Sequence, residues 1–373
     1  MKIAKSVSPI VPFAVVSILA LGLGVAGAQQ PEDTPRLLAL PTLDKLPDFG
    51  FPKGKTVYVD ATIGRDLPQC GTQQMPCLTI SQGLNRARQI QDSPVAPDEP
   101  VWLGTERTGV TVEVGPGIFD ESIMITSNYI FLHGSGPGSS TITARTTPYP
   151  YAARVSADPV RIEGFTFKSS SSYGVVVAAG ANLSMTNCEF ADSLVGLSAN
   201  HARVSVTQSR FTNNQNGVSA MDGSIVRLTD VSIAGRGDIG FGIWAQFRSE
   251  VLLGSSAGMS HSITNHRYGV FAEDSTINIL RYQIAQNHYG VLAVSKAYVW
   301  FDFGASVTNN SDWGAEGRTD SFFEVVGDVE IRGNGGEEKR GISLRDFSRC
   351  VIFGVNHIVD LIFKDDSSDF RIR

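Results

Sequence analysis

Residues 269–294, GVFAEDSTINILRYQIAQNHYGVLAV, decide how the chain folds. They open on Gly269-Val270, run through alternating apolar residues at Ile277 and Ile279, reach Asn287, and reopen on Gly290-Val291. The same opening, a glycine followed by a branched apolar residue, recurs at Gly174-Val175, Gly196-Leu197, Gly217-Val218 and Gly242-Ile243, with spacings of 22, 21, 25, 27 and 21 residues. A repeat of this period is the mark of a solenoid. Within each copy the apolar residues alternate, as at Val204 and Val206, which is the period of a strand and not of a helix.

One copy holds three strands of four or five residues joined by bends. It cannot bury its own inward side chains, so copies must stack about 4.8 Å apart, pairing backbones and closing a continuous apolar core. The opening glycine suits either a left-handed bend or a close approach of backbones. Just before it lies an Asn-rich corner: Asn213-Asn214, Asn265, Asn287 and Asn309-Asn310. Asparagine tolerates left-handed backbone, and stacked corner amides can bond one another as an internal ladder.

This pattern of glycine openings and asparagine corners resembles the right-handed parallel β-helix of the pectin-lyase-like superfamily. The resemblance implies an all-β, right-handed parallel β-helix solenoid over most of the chain. It implies little about activity, since that fold carries lyases, hydrolases, esterases and non-catalytic proteins.

Around this centre the chain divides into three parts. Residues 1–28 read as a signal peptide: Lys2 and Lys5 start it, the run from Ile10 to Val25 is almost wholly apolar, and Ala26-Gly27-Ala28 is a small-residue cleavage site. Residues 29–55 form a Pro-rich spacer, and residues 56–373 a single β-helix domain. Loss of Lys2 and Lys5 takes the formal charge from −6 to −8. An acidic chain without basic clusters argues against a nucleic-acid partner, and the mature part holds no apolar run long enough to be a transmembrane segment.

Cys70 and Cys77 fall in an early loop, and the oxidising compartment that a signal peptide implies predicts a disulfide between them. Cys188 and Cys350 sit among strand residues and read as small core side chains. Ile80, Leu84, Ala87 and Ile90 share one helical face, so an N-terminal amphipathic helix is expected to cap the open end of the core. The stretch from Tyr58-Val59-Asp60 through Pro76-Cys77 to Thr79-Ile80 looks like the opening segment of many secreted β-helix proteins. Asp60, Arg65 and Asp66 mark a loop that could hold calcium, which oxygen ligands suit, against the plainer reading of a hydrated loop; no other cofactor is indicated. The charged tail, Lys364 to Arg373, is expected to cover the far end.

Catalytic residues do not declare themselves. Gly115-Pro116-Gly117 and the strand after it resemble an early stretch of pectin esterases, which in that family carries structure. The esterase's aspartate strand finds its nearest match in Phe301-Asp302-Phe303-Gly304, yet the glutamine and Arg-Pro-Trp motifs that the resemblance calls for are missing. Polygalacturonase-like signatures are missing too. Equal offsets from the opening glycine supply a different signal. One place before it stand Phe241, Tyr268, Tyr289 and Trp313, with Arg267 and His288 beside them and Glu273-Asp274 at the next corner. Flat aromatic faces pack on sugar rings while polar neighbours bond the hydroxyls. These columns could border a groove for a polysaccharide or cell-surface glycan, or they could simply brace the stack. His266 and His288, one repeat apart, read as surface corner residues.

The expectation is a secreted protein (extracellular, cell-surface or periplasmic). It either binds carbohydrate or serves as a surface scaffold without catalysis. The alternative is a polysaccharide-active enzyme, a lyase or esterase acting on an acidic glycan such as pectin.

Overall fold

The computed structural model describes residues 54–93, 109–145, 149–170, 172–256, 261–353, 357–358 and 360–372. The segment read as a signal peptide and nearly all of the segment read as a spacer lie outside the described residues.

Each coil runs through three strands, and like strands from successive coils pair in parallel. The result is one sheet of thirteen strands and two of eleven. We call the thirteen-stranded sheet, from Lys55–Val59 to Asp369–Ile372, the long sheet. Leaving it, the chain enters the hinge sheet, of which Arg210–Asn214 is a strand. It then enters the glycine sheet, whose strands carry the repeat openings, as in Tyr268–Glu273 and Tyr289–Val294. The stack is a right-handed parallel β-helix, the hand that crossovers between parallel strands adopt.

Register is kept residue for residue, so alternation along one strand becomes a column across many. Val204, Val226, Val251, Ile277, Val299, Phe323 and Cys350 are consecutive partners on the long sheet, and all are buried. Between them, Phe167, Phe190 and Phe211 stack inside the hinge sheet with centroids 5.8 and 4.2 Å apart. Cys188 and Cys350 belong to this core, where burial raises both thiols to about 12 and keeps them un-ionised.

The opening glycines are there because backbones come close. A Cβ on Gly242 would lie 2.2 Å from Ile263 Cγ2 and 2.5 Å from the Gly269 carbonyl oxygen. The corner just before them divides its work between two residues. The first takes left-handed backbone, as at Asn213, Gln286 and Asn309, with φ of 56°, 57° and 56°. The second turns inward and forms the ladder. The Asn287 and Asn310 amide N–H groups donate to Asn310 Oδ1 and Asn334 Oδ1, each at 3.0 Å, and Asn334 N–H donates to Asp360 Oδ2 at 2.8 Å. These side chains satisfy main-chain donors that the bend takes out of the sheet ladder.

His266 overturns its reading as a surface residue. It occupies the ladder slot below Asn287, is 1% exposed, and donates its backbone N–H to Asn287 Oδ1. The imidazole fits because Gly235 has no side chain: a Cβ there would sit 2.6 Å from His266 Nε2. Burial pushes the imidazole down to about 4, opposed by the nearby Thr264 carbonyl, so the ring is neutral.

At the N-terminal end, the helix Ile80–Asp92 lays Ile80, Gly83, Leu84 and Ala87 on the first coil. Thr79 caps it, its Oγ1 accepting from Gln82 N–H, and Glu121 accepts from the Ile80 and Ser81 amides. Cys70 and Cys77 are disulfide-bonded. The far end differs from expectation. Asp369–Ile372 pairs in parallel with Arg349–Phe353 and extends the stack, because Phe370 falls in register with Cys350 and packs against the core. Among the described residues no helix is long and apolar enough to cross a membrane.

Candidate functional site

The outer face of the glycine sheet carries three columns of side chains. In the first, Phe241, Tyr268 and Tyr289 are register partners, one per coil. Their rings stack nearly parallel with centroids 5.3 and 5.1 Å apart. The second column runs Ser219, Trp244, Phe271, Leu292, Glu316, Ser343 and Phe363. Trp244 stacks on Phe241 at 5.0 Å and Phe271 meets it edge-on at 5.3 Å, so two columns merge into one aromatic surface. The third column includes the register partners Gln246, Glu273 and Val294, and Gln246 donates to Glu273.

The chain therefore brings together Phe241, Tyr268, Tyr289 and Glu273. Arg267 joins them, its guanidinium 5.7 Å from the Tyr268 ring centre. His288 joins as well, edge-on to Tyr289 at 4.8 Å with Nδ1 2.9 Å from Ser311 Oγ. Asp274 is exposed at the corner beyond the strand, with left-handed φ. Trp313 is one coil on, but its ring neighbours are Phe363, at 6.3 Å, and the Arg340 guanidinium, at 5.7 Å.

Where the aromatic surface ends, charge begins. Glu316 follows Leu292 in the second column and is fully buried. Arg318 grips it bidentately, Nε to Oε1 at 2.9 Å and Nη2 to Oε2 at 2.8 Å, and Arg345 Nε from the next coil stands 3.5 Å away. Asp312 accepts from Arg340. Burial, first, and then the hydrogen bond to Asp312 raise the Tyr289 hydroxyl above its ordinary range, so it stays protonated at neutral pH. The Glu316 hydrogen bond raises Arg318 further.

Offset counting finds the first column, Asp312 beside Trp313 and Arg345 four places after Gly341, but misses Glu316 and Arg318. Gly314-Ala315 lacks the branched residue of the repeat opening, so that coil is matched only through register. Unpartnered polar atoms occur here and on the long sheet alike, where Asn278 Oδ1 and Trp300 Nε1 are also buried without a partner among the described residues. Ser219 Oγ, Trp244 Nε1 and Ser343 Oγ, all in the second column, are buried and have no hydrogen-bond partner among the described residues. Such groups cost free energy unless something satisfies them.

Other sites considered in the sequence lie elsewhere. Asp302 is on the long sheet, its carboxyl raised by burial and held back by the Phe303 amide and Arg281. Near it Tyr298 stacks on Phe322 at 5.4 Å, a pair confined to two coils. Asp60 accepts from the Thr62 and Ile63 amides, and Asp66 from those of Leu78 and Thr79, so both loop carboxylates are engaged with the main chain. Among the described residues no three metal-ligating side chains gather. A 380 Å³ cavity by this loop, lined by Tyr58, Asp60, Gln73 and Glu113, holds no grouping of catalytic type.

With the geometry in hand, comparison with known proteins places the fold. Residues 152–312 match the family described as right handed beta helix region. The chain has the right-handed parallel β-helix fold. It is similar to DFA-IIIase from Arthrobacter chlorophenolicus A6, in complex with DFA-III, at 12% identity and a TM-score of 0.55, covering 85% of this chain and 94% of that one. The complex of the same protein with GF2 gives 13% and 0.52. ORF18 of Geobacillus virus E2 matches at 10% identity and a TM-score of 0.50, over 75% of this chain and 58% of that one. Carrot pectin methylesterase reaches only 0.35 at 12% identity, covering 86% and 88%. No curated protein sequence matches the chain.

Proposed function

We infer that the β-helix binds an extended glycan along the outer face of the glycine sheet, without catalysing its conversion there. The observation that carries this reading is the aromatic surface of Phe241, Trp244, Tyr268, Phe271 and Tyr289. It spans three coils and runs straight into the cluster of Asp312, Glu316, Arg318, Arg340 and Arg345. Apolar sugar faces can lie on the rings, while hydroxyls or carboxylates meet the guanidinium groups. Glu316 is buried while the Arg318 and Arg345 side chains that pair with it remain 40% and 44% exposed, so guanidinium N–H groups are left open to a ligand. The apolar leader that begins with Lys2 and the Cys70–Cys77 disulfide support secretion.

The test is affinity electrophoresis and calorimetry with neutral, acidic and esterified polysaccharides. The double variant Tyr268→Ala, Tyr289→Ala should lose at least about tenfold in affinity, roughly 1.4 kcal/mol. Binding that survives in the folded double variant would refute the reading.

The charged cluster itself favours a second reading, a lyase or esterase acting on an acidic glycan, because acidic and basic side chains gather across two adjacent coils beside a protonated tyrosine. Product analysis by mass spectrometry, with calcium and with chelator, separates the two readings. Unsaturated fragments or lost ester groups that disappear in Tyr289→Phe would establish the enzyme.

A further inference from the structure

At the corner between the long sheet and the hinge sheet, two neighbouring coils bring a serine, a histidine and an aspartate into line. Ser232 Oγ lies 3.3 Å from His261 Nδ1. The other ring nitrogen, His261 Nε2, faces Asp230 Oδ1 at 3.5 Å, an ion-pair distance at which no hydrogen bond is made in this structure. Asp230 is fixed in turn: Ser256 N–H donates to Oδ1 and Ser256 Oγ to Oδ2, each at 2.6 Å. The Asp230 and His261 side chains are 11% and 17% exposed. Burial by itself would raise the Asp230 carboxyl. The hydrogen bonds from Ser256, the nearby His261 and a bond from Ser255 outweigh it and keep the carboxylate ionised. The three residues line a 370 Å³ cavity with Gln208 and Arg210.

We propose that Ser232, His261 and Asp230 form a hydrolytic site for esters of short acyl groups. A nucleophile within hydrogen-bond reach of a base, the base itself oriented by a carboxylate, is the arrangement that activates a hydroxyl, and it is recognised by geometry wherever it occurs. With Nε2–H facing Asp230, His261 Nδ1 is free to accept a proton. It takes that of Ser232 as Oγ attacks the ester carbonyl carbon. The adduct collapses with cleavage of the acyl C–O bond, and the imidazolium gives its proton to the departing alcohol oxygen. Water then attacks the acyl-serine by the same route, releasing the carboxylic acid and restoring Ser232. The Asn187 and Gln208 amides and the Arg210 guanidinium are side-chain donors on the cavity wall for the negative charge that develops on the carbonyl oxygen. Arg210 is itself positioned by Glu189, to which its Nε donates at 2.9 Å.

The inference is independent of the glycan reading, which rests on a different sheet. The full purified chain is treated with a fluorophosphonate probe, and the labelled peptide is located by mass spectrometry. p-Nitrophenyl acetate hydrolysis is followed in parallel. Ser232 should carry the label. Ser232→Ala should abolish labelling and lower hydrolysis at least about a hundredfold, and His261→Asn should do likewise while far-UV circular dichroism and melting are unchanged. Because labelling is read on the unsubstituted chain, it does not depend on any variant folding. A Ser232 peptide left unlabelled, or hydrolysis that persists in folded Ser232→Ala, overturns the proposal.

Discussion

Replacing His266 with asparagine should make the protein less sensitive to mild acid. The imidazole titrates at 6.5 in an ordinary setting and at about 4 in its buried slot. For a base whose pKa is depressed on folding, the unfolded chain binds the extra proton. The stability is therefore complete above the unfolded value and is lost as pH falls below it. With those two values, acidifying from pH 7 to pH 5 removes about 2 kcal/mol. The carboxylates held low by their partners, Glu189, Asp192 and Asp230, behave in the opposite range. Their contribution is present above the ordinary carboxylate pKa and disappears only as pH falls through their folded values, so pH 5 lies above their loss. Chemical denaturation of the wild type and His266→Asn at both pH values isolates the residue, since every other titrating group cancels in the difference. Asparagine suits the slot, which Asn287, Asn310 and Asn334 fill in later coils. The variant should lose about 2 kcal/mol less than the wild type over this interval. An equal loss in both proteins would refute the claim that the ring is buried and neutral.

Two further outcomes follow from the packing. Asn310→Ala removes the acceptor for Asn287 N–H and the donor to the Ile284 carbonyl, both buried; a loss of about 2–3 kcal/mol is expected, with faster hydrogen exchange at the Asn287 amide. Gly242→Ala forces a methyl into Ile263 and the Gly269 carbonyl and should cost about 3 kcal/mol in denaturant unfolding, whereas Gly223→Ala, with open space around its Cβ position, should show only the left-handed backbone strain of its φ of 74°, about 1–2 kcal/mol.

The sequence exposed the fold because a solenoid writes one pattern many times. Gly269 to Val294 alone contains the strand period, the bend and the ladder residue. The disulfide was legible from the oxidising compartment that the apolar leader leads one to expect, and the capping helix from its periodicity. Part of the aromatic face was too, since Phe241, Tyr268 and Tyr289 keep a constant offset from glycine. Three features were not. His266 follows a corner asparagine just as His288 does, but Asn265 is the left-handed first corner residue and Asn287 the inward second one, so only His266 falls in the interior slot, where the bare Gly235 leaves it room. Trp313 keeps the offset, yet its ring sits by Arg340 and Phe363. The Ser232–His261 pairing spans 29 residues across a coil of irregular length, where counting from a repeat opening no longer gives the register.

The strict coil-by-coil pairing also limits how such a chain can change length through evolution. Inserting one residue inside a strand would invert the inner and outer faces of that strand, placing polar side chains in the core. Inserting a whole coil leaves every column intact and lengthens the aromatic face by one rung. Coils that exceed the shortest period, 21 residues, therefore carry their surplus at corners, as at Arg236–Gly240 before the Phe241 strand. Duplication of complete coils is the change this architecture tolerates best, and it would lengthen or shorten the ligand the face can hold in steps of about 4.8 Å.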